Sequence, residues 1–226
     1  MTVPPGQRVL DGFPRFGIPG AAPGVPDDPV IEIGGAIPEP LTLPVATLAE
    51  LPRSEMTADF HCVAGWTATD LHWEGVRFAE LFRLVIEPTL PAATSITHVV
   101  FEGLDRFRSI VLIEDALAAD VLLAENLDGA PLTTDHGAPI RLVSPRQYGF
   151  ISTKHLCRIE LHTSRPPEKY HPNWRIQLAL QLLKPHPRAR VWNEERHRYL
   201  PGLVVRPVYH RLIRFFRLRN ARGTRR

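Results

Sequence analysis

The sequence predicts an α+β fold dominated by short strands, and three observations carry that expectation. Proline accounts for 23 of 226 residues, and a ring that locks φ and removes an amide donor breaks long helices. Most apolar segments are short and bounded by Gly, Pro or Asp, the punctuation of strands and turns. Hydrophobic residues make up 44% and charged residues 23%, ordinary globular usage that excludes a mainly disordered, collagen-like or coiled-coil chain. A chain of this length buries about 70% of its unfolded surface, enough for a self-sufficient core.

The elements follow in order. Residues 1–29 are dense in Pro and Gly and read as an extended leading segment. Val30–Ile33 reads as a strand closed by Gly34-Gly35. Leu41–Leu43 is a strand and Thr47–Leu51 a short helix. Thr57–Ala64 places Phe60, Cys62 and Ala64 on one strand face. Phe78–Ile86 has apolar residues at helical spacing. Thr97–Phe101 and Ser109–Ile113 pair around a loop over residues 102–108. Asp115–Leu127 reads as the clearest helix, with acids at its start and Gly129 beyond its end. Ile140–Val143 and Leu156–Leu161 are further strands. A boundary at Arg165-Pro166-Pro167 predicts a compact domain over 1–165 and an extension over 166–226.

Charge divides the chain. Residues 201–226 hold eight arginines and no acid, while residues 1–200 hold 19 basic residues against 24 acids, a net of −5. A mildly acidic body with a basic tail is not the pattern of a nucleic-acid-binding domain. In the tail, Val208, Leu212, Phe215 and Phe216 share one helical face, with Arg211 and Arg214 opposite. That amphipathic pattern suits an anionic membrane surface or an acidic redox partner, and equally a packed helix with a frayed end. Two cysteines without a Cys-x-x-Cys pair make no disulfide scaffold and point to a reducing compartment. The N-terminus shows no basic start followed by an apolar run, and no stretch approaches the ~18 apolar residues of a span. The expectation is a cytoplasmic protein.

Gly-x-Gly-x-x-Gly, the Walker loop, His-Glu-x-x-His and Gly-x-Ser-x-Gly are absent, which lowers the prior for dinucleotide enzymes, nucleoside triphosphatases, zincins and serine hydrolases. His155, Cys157 and His162 lie close in sequence but lack zinc-type pairing, so they read as a small buried Cys and surface histidines. Cys62, in His61-Cys-Val-Ala-Gly-Trp66, is a soft ligand or a nucleophile by type, and packing by residue pattern alone. His61 points to the opposite face and makes a poor base for it. Arg141 and Lys154 read, by type, either as phosphate donors or as solvated strand-edge charges.

His61-Cys-Val-Ala-Gly-Trp66, Trp73-Glu-Gly-Val76, His136-Gly-Ala-Pro-Ile-Arg-Leu-Val143, Tyr148-Gly-Phe-Ile-Ser-Thr-Lys154 and Ile159-Glu-Leu161 occur in a fixed order. The ordered set resembles the molybdopterin-binding domain of the sulfite oxidase family over about residues 12–165. It is most similar to single-domain bacterial members such as the methionine sulfoxide reductase catalytic subunit. The resemblance implies a sulfite-oxidase-type fold, a Mo-molybdopterin cofactor, and oxygen-atom transfer to or from a small-molecule substrate with an unspecified electron-transfer partner. It implies that Cys62 is the thiolate ligand to molybdenum. Arg15, in Phe13-Pro-Arg-Phe-Gly17, corresponds to a family arginine near cofactor and substrate, although Phe16-Gly17 replace the family's Asn-His pair. His136, Arg141, Ser152, Thr153 and Lys154 fall on positions that bind the pterin and its phosphate, and Gly103 falls near one that touches the cofactor. Tyr170-His171 and Trp192-Asn-Glu-Glu-Arg196 look like pieces of later family elements. Arg106, Arg108 and Arg146 are further candidates for steering an anionic or S-oxide substrate. The rival expectation is a non-catalytic binding module that keeps the fold and docks a partner through its basic tail.

Overall fold

The computed structural model describes residues 2–14, 22–167, 184–209 and 211. The strands, in chain order, are β1 (Arg8–Val9), β2 (Val30–Gly35), β3 (Leu41–Pro44), β4 (Arg53–His61), β5 (Trp66–Arg77), β6 (His98–Gly103), β7 (Arg108–Leu112), β8 (Leu122–Leu127), β9 (Ala130–Pro131), β10 (Arg141–Val143) and β11 (Leu156–His162). Helices are few: α1 (Phe78–Leu81), which runs on into a wider turn over Phe82–Ile86, α2 (Ile113–Ala116), and a helical segment over 202–209. Among the described residues, no helix is long and apolar enough to cross a membrane.

Two mixed sheets form the body. One has the order β3-β2-β11-β6-β7, and the other runs β1-β5-β8-β10 with β4 also on β5 and β9 on β8. The long strand β5 organises the second sheet. It takes β4 along one edge, and on the other takes β1 at Trp66–Thr67 and β8 at Trp73–Arg77.

Alternation along these strands creates two apolar regions. Val76, Leu123 and Leu142 face inward to Ile33, Val99, Phe101 and Ile159 of the other sheet. Trp73, Leu122, Ala124 and Val143 face the opposite way, into a second cluster that contains Cys62. Because side chains two apart share a face, Arg141 points the same way as Val143, toward Cys62's side of the sheet.

The expected helix over Asp115–Leu127 is corrected. Its helical part ends at Ala116, and Leu122–Leu127 is strand β8. The run Val121–Ala124 is buried from both sides, so its apolar continuity is that of a central strand. Gly129 is no helix cap. Asp128 at φ 53° and Gly129 at φ 76° form the tight Asp-Gly turn that leads into β9. The strand expected over Thr57–Ala64 runs instead over Arg53–His61, leaving Cys62 in the following turn. Strand β5 had no counterpart in the sequence reading.

Candidate functional site

Cys62 opens the four-residue turn between β4 and β5. The Cys62 N–H donates to the Trp66 carbonyl at 2.8 Å, and the Gly65 N–H returns to the Cys62 carbonyl at 2.9 Å. Gly65 closes the turn at φ 92°, a region that favours glycine. Within the turn the Ala64 N–H acts on the Cys62 thiol as a donor that lowers its pKa. From the leading segment, the Gln7 side-chain amide donates to the Cys62 carbonyl at 3.1 Å. Gln7 is held in turn by Thr67, whose hydroxyl also meets His61 Nδ1 at 2.9 Å. His61 is thus committed away from the thiol. Cys62 is 6% exposed, and burial pushes its thiol up to about 12. The Ala64 N–H and the cations Arg196 and Lys154 pull the other way.

Arg141 is wholly buried, which rules out a solvated strand-edge charge. Its guanidinium lies over the rings of Phe60 and Trp73, each at 5.2 Å, and of Phe13 at 5.8 Å. It donates to the carbonyls of His136 at 3.0 Å and Ser152 at 3.2 Å, so it ties the two loops together. Burial lowers it to about 9, and it stays protonated at neutral pH. No carboxylate among the described residues pairs with it. His136 stacks on Phe13, with centroids 4.6 Å apart and planes 14° from parallel. Its Nδ1 is buried without a hydrogen-bond partner among the described residues. Burial, with Lys154 and Arg141 nearby, lowers it to about 4, so the ring is neutral at pH 7.

The loop over 149–155 wraps this region. The Gly149 N–H donates to the His61 carbonyl at 2.7 Å, which joins the loop to the Cys62 hairpin. Ser152 Oγ accepts from the Ser144 N–H at 3.2 Å, and Thr153 Oγ meets Ser109 Oγ at 2.8 Å. The amides of Ser152 and Thr153 donate to Gly149 and Ile151 carbonyls. Both amides thus shape the loop. Lys154 Nζ reaches the Asp135 carbonyl at 2.5 Å, beside His136. Gly103 is needed because a Cβ there would lie 2.3 Å from the Lys154 carbonyl oxygen.

Arg15 lies outside the described residues, but Phe13 two positions earlier packs against His136. Tyr170 and His171 also lie outside them, as does the tail beyond Arg211. The candidate steering arginines all have acidic neighbours. Arg106 pairs with Glu102 at 3.5 Å, Arg108 with Glu160 at 2.6 Å and Arg146 with Asp120 at 2.8 Å. The cations acting on Cys62 itself are Arg196 and Lys154. His155, expected at the surface, is buried and contacts the Ala138 carbonyl at 2.6 Å.

Sequence reasoning missed Gln7 and the role of Arg196. Arg196 is 1% exposed and donates to the Val63 carbonyl in the Cys62 turn. Its only sequence signal is its place in Trp192-Asn-Glu-Glu-Arg196.

The donor set can be matched to a ligand. Among the described residues no three His, Cys, Asp or Glu side chains group to hold a metal, so among them Cys62 has no partner ligands for a metal, which suits one whose other ligands come from a cofactor. A buried guanidinium without a counter-ion costs several kcal/mol, and His136 Nδ1 is an orphaned polar atom. An anionic, heteroatom-rich cofactor bearing phosphate answers both, and the residues present fit it.

Comparison with known proteins agrees. Residues 20–170 match the family described as the oxidoreductase molybdopterin binding domain. The oxidoreductase YuiH of Bacillus subtilis is 30% identical over 173 residues, covering 76% of this chain and 84% of that protein. MsrP of Campylobacter jejuni, a protein-methionine-sulfoxide reductase catalytic subunit, is 29% identical over 195 residues, 79% of this chain. Sulfite oxidase of Arabidopsis thaliana is 29% identical over 161 residues, 58% of this chain. The chain spans 64% of the MsrP length and 41% of the sulfite oxidase length. The crystal structure of sulfane dehydrogenase SoxCD from Paracoccus pantotrophus shares the fold, with a TM-score of 0.58 at 21% identity, over 76% of this chain and 46% of that one.

Proposed function

Because the chain belongs to the molybdopterin-binding oxidoreductase family, we propose that Cys62 is the protein ligand to molybdenum in an enzyme that transfers an oxygen atom to or from a small sulfite- or S-oxide-like substrate. The chain is an oxidoreductase and its cofactor is Mo-molybdopterin. The sulfur chemistry in the names of MsrP and sulfite oxidase supports a sulfur-centred substrate.

Bound molybdenum supplies the two-electron chemistry of the transfer; the chain binds and orients. Cys62 offers one thiolate from a turn fixed on both sides. Arg141 and Lys154 offer positive charge to the cofactor phosphate, with His136 Nδ1 as a further polar contact. Ser152, Thr153 and Gly103 give the surrounding loop its shape. Arg15 is proposed as a substrate contact on its sequence resemblance. The observation that carries the assignment is one buried thiol on the same side of the sheet as a buried guanidinium that no carboxylate among the described residues pairs with, joined through the 149–155 loop.

Cys62→Ser tests it, with Cys157→Ser as control. Cys157 is half-buried, and its Sγ lies 3.5 Å from the Glu102 carbonyl, on the other sheet. Cys62→Ser is expected to stay folded and keep much of its pterin, to lose nearly all turnover, and to lose a sulfur-to-molybdenum absorption band. Cys157→Ser is expected to change none of these. Wild-type activity and spectrum in Cys62→Ser would overturn the assignment.

A further inference from the structure

The residues that hold the Cys62 turn come from both ends of the chain. Arg196 is buried beneath the turn. One arm of its guanidinium donates to the Val63 carbonyl, and the other donates to the Gly6 carbonyl at 3.0 Å. The cation also lies 5.1 Å from the centroid of the buried Tyr148 ring. Glu194, at φ 55°, faces it with an oxygen 3.5 Å from Nε. Arg206, from the helical turn over 202–209, grips the same carboxylate in a two-pronged contact at 2.6 and 2.5 Å. Glycines permit this packing: a Cβ on Gly6 would lie 2.8 Å from the Arg196 guanidinium, and one on Gly202 would lie 2.3 Å from the Glu194 carboxyl carbon.

The Val63 carbonyl and the Ala64 N–H belong to one peptide unit, in which a trans plane sets them antiparallel. The carbonyl accepts from Arg196. The N–H sits two residues on in the turn that the Gly65 N–H closes onto the Cys62 carbonyl, where it acts on the Cys62 thiol as a donor and holds its pKa down. Fixing one end of the plane fixes the other, and a cation on the carbonyl polarises the amide toward a better donor. Hydrogen bonds to a metal-bound sulfur draw electron density from it and raise the metal's reduction potential.

We infer that Arg196 is a positioning residue that acts on the Cys62 sulfur through the Val63–Ala64 peptide, so that the C-terminal segment tunes the metal-ligating turn. This rests on Cys62 being the ligand. Glu194 sets how much of the cation's charge reaches the relay, and Arg206 holds Glu194.

The test has an arm that needs no cofactor. In cofactor-free Arg196→Met, which keeps the length of the side chain, the Ala64 amide is expected to exchange with solvent at least about tenfold faster, while strand amides of β6 and β11 keep their protection. Arg196→Lys, which keeps the charge and a donor, should restore part of that protection. In loaded protein, Arg196→Met should lower the molybdenum reduction potential and Glu194→Gln should raise it. A purely structural role predicts lost stability with an unmoved potential and no difference in sign between the two variants. An Ala64 amide that stays protected in Arg196→Met, or potentials that move the same way, would overturn the inference. The amide arm is read without metal, so it stands or fails separately from the molybdenum assignment. If Arg196→Met does not fold, Glu194→Gln and Arg196→Lys carry the test.

Discussion

His136 shows how a single residue's environment sets its chemistry. Its pKa falls from 6.5 to about 4 through burial and through the neighbouring cations Lys154 and Arg141. Between those two values the unfolded chain binds the proton and the folded one does not, so stability rises with pH. The contribution is fully present above about 6.5 and is lost as pH falls toward 4. Urea midpoints of cofactor-free protein across that window should therefore climb with pH, and His136→Gln should flatten the climb. Equal slopes in the two proteins would contradict the stacked, neutral ring. His136, Arg141 and Lys154 were legible as a group because they stand in ordered motifs. That Arg141 is buried without a carboxylate partner was not legible, since neither burial nor partner choice is written in local pattern. Arg196 was harder still: its partners Val63 and Gly6 lie more than a hundred residues away, and only the folded chain brings them together.

At the level of elements, close approach of backbone to glycine separates fold from site. A Cβ on Gly103 would press on the Lys154 carbonyl oxygen at 2.3 Å, and one on Gly35 on the Leu161 carbonyl oxygen at 2.2 Å. Both oxygens are backbone and neither can swing aside, so each alanine should cost about 1–3 kcal/mol of stability, a usual range for overpacking. Gly103→Ala should in addition lower pterin retention per folded molecule, because it displaces the loop that carries Lys154. Gly35→Ala, at the β2–β11 contact, should leave retention unchanged. Equal retention in the two variants would mean the 149–155 loop does not hold the cofactor. The strands on either side of these glycines were readable from short apolar runs. Two elements were not. The β8 run Leu122–Ala124 is apolar at every position and mimics a helix face. Strand β5 changes partners along its length, so its alternation is broken.

Across the whole molecule, both ends of the chain converge on one turn: Gln7 and Gly6 from the start, Arg196 and Arg206 from near the end. Two sheets supply the frame, and the thiol and the buried Arg141 lie on one side of the second sheet. Leu203, Val204 and Val208 of the 202–209 turn are exposed, and the basic face expected of the tail lies largely outside the described residues. The frame is that of a family whose cofactor is molybdopterin, so the central claim is cofactor capture at this face. Metal and pterin analysis of protein purified from a molybdopterin-competent host tests it most directly. About one molybdenum and about one pterin per chain are expected, as for a single cofactor site. Zinc or no metal, from a host that loads a control molybdoenzyme, would contradict it.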